Sequence, residues 1–135
     1  MICGLGTDIV EISRIKKSLE RFGIRFIEKV LNADEIRHWQ ERQNQAIVPN
    51  IETIPAYTLA ARFSVKEASV KALGTGFSQG ISLHDISVFN LPSGQPQIVF
   101  TGKALEIFKK IGASHSHVSL SHARDVACAV VILEK

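Results

Sequence analysis

The chain has little of several things. Among its 135 residues are two cysteines, one methionine, one tryptophan and one tyrosine. Cys3 and Cys128 make no disulfide framework, and no CxxC or comparable metal-ligand spacing exists. Both lie in apolar, strand-like runs and read as buried free thiols of a reducing compartment. No apolar run approaches the ~20 residues that cross a bilayer as a helix. The apolar N-terminus is short, lacks a basic segment and meets Asp8 at once, which argues against a signal peptide. Internal repeats, low-complexity tracts and long linkers are absent. What remains is one small domain over residues 1–135, expected in the cytoplasm and off the membrane.

The charge that is present leans basic. The net charge is +3 and the pI about 9.0. That favours an anionic partner, which is nucleic acid, an acidic protein or a phosphorylated cofactor. A domain of this size has a small interior in which to enclose a large ligand, so a site shared between subunits is compatible with it.

The most informative stretch runs from Arg62 to Gly76. It predicts a half-buried helix, with Leu59, Phe63, Val70 and Leu73 on its apolar side. Gly74 and Gly76 end it, since glycine takes the positive φ that closes a helix. Glu67 and Lys71, four apart, share a face, and Arg62 and Lys66 form a basic pair at the same spacing. A carboxylate among three cations suits a site for a metal and a polyphosphate. The alternative is a surface helix with one stabilising Glu–Lys pair.

Before that helix, Ile2 to Ile12 predicts a strand running into a helix. Gly4 and Gly6 mark a bulge or a close backbone approach. Asp8 inside this apolar run needs a partner or a metal, because a bare buried carboxylate is costly; a helix cap is the simpler role for it. Ser13 to Phe26 predicts an amphipathic helix, interrupted at Gly23, with Ile12, Ile15, Leu19, Phe22 and Phe26 as its apolar stripe. Arg14, Lys17, Arg21 and Arg25 line the opposite side and offer a docking surface for something acidic, or else a solvated face. Glu28 to Gln43 reads as helix, with Asn32 or Asp34 as a cap, Ile36 and Trp39 turned inward and His38 at the surface. Gln43 to Pro55 reads as a loop.

After Gly76 the pattern changes to strands. Ile81–Asn90 and Gln97–Thr101 flank a Pro-Ser-Gly turn as a hairpin. Lys103 to Ile111 is a short helix. His117–His122 and Val126–Leu133 form a second hairpin; the second strand is apolar throughout and predicted to be buried on both faces. His122 closes its strand beside a turn. Ser121-His122 makes a poor hydrolase pair, since adjacent strand side chains diverge and no GxSxG elbow is present. His115 and His117 lack further ligands for a metal site.

Three segments together resemble the small bacterial holo-acyl-carrier-protein synthases of the 4′-phosphopantetheinyl transferase superfamily. They are Gly4-Leu-Gly-Thr-Asp-Ile-Val-Glu-Ile-Ser-Arg14, the Arg62–Gly76 stretch with its KEAxxKALGTG core, and Ser119-Leu-Ser-His122 before the last strand. They occur in the family's order, and only Gln43–Pro55 is longer than usual. The resemblance implies an α+β fold and a homotrimer with sites between subunits. It implies Mg²⁺-dependent transfer of 4′-phosphopantetheine from coenzyme A to a serine of apo-acyl carrier protein, in support of fatty acid biosynthesis. By resemblance, Asp8 and Glu67 hold the metal, and Lys71 neutralises charge on the phosphoryl group. Arg62, Lys71, Gly74, Gly76 and His122 line coenzyme A, and Arg14, Arg21 and Arg25 receive the carrier protein. The expected acceptor of the serine's proton is Asp8 or Glu67 acting through a metal-bound water, with Lys66 or Lys71 as the alternative. Two other functions compete with this reading. A basic nucleic-acid-binding module accounts for the charge but leaves Asp8 and Glu67 unexplained. A metal-dependent pyrophosphate hydrolase would use the same groups with water as acceptor.

Overall fold

A computed structural model describes residues 1–135. The chain opens with strand β1 (Ile2–Glu11), followed by helices α1 (Ile12–Phe22), α2 (Ile24–Val30) and α3 (Ala33–Arg42). Helix α4 (Ala56–Leu73) comes next, then β2 (Ile86–Asn90), β3 (Pro96–Phe100), α5 (Gly102–Lys110), β4 (His115–His122) and β5 (Val126–Glu134). This is an α+β arrangement. β1, β5 and β4 form an antiparallel sheet in that order, and β2 and β3 form a separate hairpin.

Helix α4 lies across one face of the three-stranded sheet and organises two apolar clusters. Its C-terminal half packs with β2, β3, α5 and the sheet, and its N-terminal half packs with α1, α2 and α3. Close approach makes this possible. A Cβ at Gly4 or Gly6 would collide with the carbonyl oxygens of Ala72 and Ala68. The glycines of β1 and the alanines of α4 therefore bring backbone against backbone, which any larger side chain would prevent. The register also shifts between Ile2 and Gly4, so both the expected bulge and the expected close approach occur.

Several expectations need correction. Helix α4, which starts at Ala56, is buried nearly all round rather than on one side. β5 alternates instead of being buried on both faces. Ala127, Ala129, Val131 and Leu133 face α4, while Val126, Cys128, Val130 and Ile132 lie half-buried on the outer side. The first hairpin strand begins at Ile86, and residues Leu83–Asp85 form a 3₁₀ turn. A second such turn, Ile51–Thr53, lies inside the Gln43–Pro55 segment and anchors it through buried Ile51 and Ile54. The break at Gly23 divides two helices as expected. Asn32 caps α3 in a capping box with Glu35. Phe22 is not core: it is half-exposed, with the Arg21 guanidinium 5.0 Å over its ring. No helix is long and apolar enough to cross a membrane.

Candidate active site

Asp8 reaches the site because β1 alternates. Asp8 sits opposite Ala129 at the edge of the sheet that α4 covers. There Lys71 Nζ donates to Asp8 Oδ1 at 3.2 Å and to the Thr7 carbonyl at 3.0 Å. Glu67 lies one turn back along α4. Burial raises its carboxyl above the ordinary 4.5, the Asp8 charge raises it further, and Lys71 and Arg14 pull it down. Two carboxylates, one ammonium and one guanidinium thus share one electrostatic neighbourhood. Lys71 is half-exposed, free to turn toward a ligand, whereas the Asp8 side chain is only 15% exposed.

The other two cations of the predicted cluster point elsewhere. Five residues along a helix is 140° of rotation, so Arg62 and Glu67 cannot share a face. Arg62 is 8% exposed and donates to Asn90 Oδ1 at 2.5 Å. Burial pulls its pKa down from the ordinary value, Glu35 opposes this and Arg42 adds to it. Lys66 is fully buried. Its Nζ donates to the Val30 carbonyl at 2.6 Å, to Glu35 Oε1 at 2.6 Å and to the Leu83 carbonyl at 3.0 Å. With all three donors engaged and no route to solvent, Lys66 is no proton acceptor for a substrate. It is a structural ion pair tying α4 to α2, α3 and the turn before β2. Burial lowers its pKa, and Glu35 counteracts that. The sequence pattern of three cations around one carboxylate therefore resolves into a site with Lys71 and a buried pair behind it.

His122 ends β4 opposite Ala127, its ring stacked on Tyr57 with centroids 5.0 Å apart. Gly74 caps α4 with φ +82°, and Gly76 has φ +60°. Both amides bond back to the helix, and a Cβ at either would meet nothing within 4 Å. These glycines are therefore explained by left-handed backbone, and the surface beside them is open. A groove of about 620 Å³ runs over the outer face of the sheet, bordered by Thr7, Asp8, Lys71, Ser119, Ser121 and Cys128. Arg25 lies on α2, beyond the break at Gly23, and shares a cleft of about 330 Å³ with Ser18, Phe22, Phe26 and Lys29.

Comparison with known proteins decides what this arrangement belongs to. The 4′-phosphopantetheinyl transferase superfamily matches residues 4–131. The chain belongs to that superfamily. A holo-[acyl-carrier-protein] synthase of Maridesulfovibrio salexigens is 50% identical over 135 residues, covering the whole of both chains. The crystal structure of a holo-[acyl-carrier-protein] synthase from Neisseria meningitidis superposes with a TM-score of 0.82 at 33% identity, covering the whole of both chains. The Helicobacter pylori holo-[acyl-carrier-protein] synthase in complex with coenzyme A superposes with a TM-score of 0.76 at 29% identity, covering 96% of this chain and 99% of that one.

Within this member of the superfamily, the donor set meets the demands of a hard divalent cation. No three His, Cys, Asp or Glu side chains converge on a point. Asp8 and Glu67 lie near enough for the charge of one to raise the other's pKa, and two carboxylates suit Mg²⁺ when phosphate oxygens complete its shell. Sequence reasoning missed three residues that the structure brings forward. Asn90 holds Arg62, Lys29 extends the basic cleft of α2, and His38, expected at the surface, accepts a 2.9 Å hydrogen bond from the Asn90 amide. Burial lowers the pKa of His38, with Arg42 and Arg62 adding to the effect, which keeps the ring a neutral acceptor. Lys29 was legible, being four residues from Arg25. The Asn90 and His38 contacts were not, because each joins segments far apart in sequence.

Proposed function

We propose that this protein transfers 4′-phosphopantetheine from coenzyme A to a serine hydroxyl of apo-acyl carrier protein, releasing adenosine 3′,5′-bisphosphate. The observation that carries the reading is the pairing of Asp8 and Glu67 beside Lys71, in a chain of the transferase superfamily. The serine oxygen forms a bond to the pantetheine-side phosphorus. The bond from that phosphorus to the bridging oxygen breaks, and adenosine bisphosphate leaves with the electron pair. Asp8 and Glu67 would hold Mg²⁺ against the pyrophosphate, where the ion polarises the phosphorus under attack. Lys71 places positive charge where the leaving phosphate gains negative charge. Through an intervening water, Asp8 or Glu67 would accept the serine proton. Arg62, Gly74, Gly76 and His122 line the remainder of the coenzyme A path.

The assembly we propose is a homotrimer with each site between two subunits. One chain does not bring Arg62 to Glu67, and the outer sheet face leaves Leu5 61% and Ile9 68% exposed. Covering that face with a second copy would remove apolar surface from water and build the groove into a site. The basic faces of α1 and α2, with Arg14, Arg21 and Arg25, would receive the acidic carrier protein. Residues 1–135 act as a single domain in the cytoplasm, in support of fatty acid biosynthesis; the two free thiols suit that compartment.

Intact-mass spectrometry tests the reaction. Apo-acyl carrier protein incubated with the enzyme, coenzyme A and Mg²⁺ gains one phosphopantetheine, and a chelator abolishes the gain. Release of adenosine bisphosphate without a carrier protein would support a hydrolase instead. No gain with any carrier protein would overturn the transferase reading.

A further inference from the structure

Four of the chain's five histidines are anchored through a ring nitrogen. His38 accepts from the Asn90 amide, and His84 Nε2 lies 2.5 Å from the Glu28 carbonyl. His115 Nδ1 lies 2.8 Å from Ser114 Oγ, and His117 Nε2 lies 3.1 Å from Glu134 Oε1. His122 is the exception. Its nitrogens have no partner within the chain, and the ring is held by the face of Tyr57 at 5.0 Å with 30° between planes.

The difference has a physical consequence. An exposed imidazole at a strand end samples several rotamers, and a ligand must pay to select one. A hydrogen bond would fix the ring by consuming a nitrogen. A stack fixes its plane and leaves both nitrogens available. Tyr57 stands in the first turn of α4, on the same rigid helix as Glu67 and Lys71. Its ring is half-exposed, so core packing does not explain an aromatic side chain there.

We propose that Tyr57 is a positioning residue for the donor: its ring locks His122 with both imidazole nitrogens free for a phosphate group of coenzyme A. This rests on the reading of His122 as a coenzyme A contact and adds a residue outside the three matched motifs.

The test is calorimetric titration of the full-length protein with adenosine 3′,5′-bisphosphate, beside KM values for coenzyme A and carrier protein. Tyr57→Ala should weaken the bisphosphate about threefold to tenfold, the range expected of one stacked aromatic pair. KM for coenzyme A should rise alike and KM for carrier protein stay put. Tyr57→Phe should bind as the wild type does. In a His122→Ala background, Tyr57→Ala should cost nothing further. Unchanged binding by Tyr57→Ala, unchanged binding by His122→Ala, or a full additive loss in the double variant would each overturn the proposal. A wild type that binds the bisphosphate yet modifies no carrier protein would sink the transferase reading, while the binding series would still decide the role of Tyr57.

Discussion

Glu67 carries much of the electrostatic tension of the site. Its carboxyl is raised chiefly by burial and then by Asp8, so the folded chain holds that proton to higher pH than the unfolded chain does. Between the ordinary 4.5 and the raised folded value, stability therefore falls as pH increases. Thermal melts from pH 4 upward should show this decline in the wild type without metal. Glu67→Gln should flatten it, and added Mg²⁺ should raise the melting temperature of the wild type more than that of the variant. A decline equally steep in Glu67→Gln would move its origin to another group. The Lys66–Glu35 pair behind the site has the opposite character. Lys66→Met leaves the Glu35 carboxylate buried and half-unpaired, so urea unfolding should show a loss of about 3–5 kcal/mol. A loss under 1 kcal/mol would mean that Glu35 finds water or another partner.

At the scale of elements, α4 works as a divider. Its faces send Lys66 inward to Glu35, Glu67 and Lys71 toward the edge of β1, and Arg62 toward the β2–β3 hairpin. The buried ion pair and the glycine–alanine contact with β1 together constrain where α4 sits, and so hold Lys71 against Asp8 and Glu67 within reach of its charge. Helices α1 and α2 carry the basic side chains, of which Arg14 shares the electrostatic neighbourhood of Glu67; rim charges of this kind steer association more than they hold the complex. Arg21→Glu should raise KM for the carrier protein on the order of tenfold and leave KM for coenzyme A unchanged. Added salt should lower the wild-type rate, since attraction between exposed charges is screened over about 8 Å at physiological ionic strength. Equal effects on both KM values would place Arg21 in the shared pocket instead.

The whole molecule raises the question of assembly. Asp8, Glu67 and Lys71 cluster in one place, Arg62 lies on another face of α4, and His122 ends β4. If each site draws the two groups from different subunits, inactive variants should complement. Asp8→Ala mixed in equal amount with His122→Ala, unfolded and reassembled, should recover about a quarter of the wild-type rate by random pairing around a ring. No recovery, with mixed assemblies verified by mass, would place the whole site within one chain.

Much of this was legible in the residues. Periodicity located the amphipathic first helix and the alternation of β4, because burial on one face imposes its period on the sequence. Gly23 and Asn32 marked helix ends, since such boundaries are set by local backbone chemistry. Spacing along the KEAxxKALGTG helix put Glu67 and Lys71 on one face, and the structure brings Asp8 of β1 to Lys71 there. The same argument failed for Arg62 and Lys66, which share a face with each other and not with Glu67. Their partners, Asn90 and Glu35, come from the hairpin and from α3, and a helical wheel contains neither. The burial of α4 on nearly all sides also lay beyond the pattern, since it depends on β1 and the other helices closing around it. Sequence alone determined which groups of chemistry this chain carries and on which elements; the tertiary structure decided which cations face the carboxylates, because that choice is made by contacts between segments that only folding brings together.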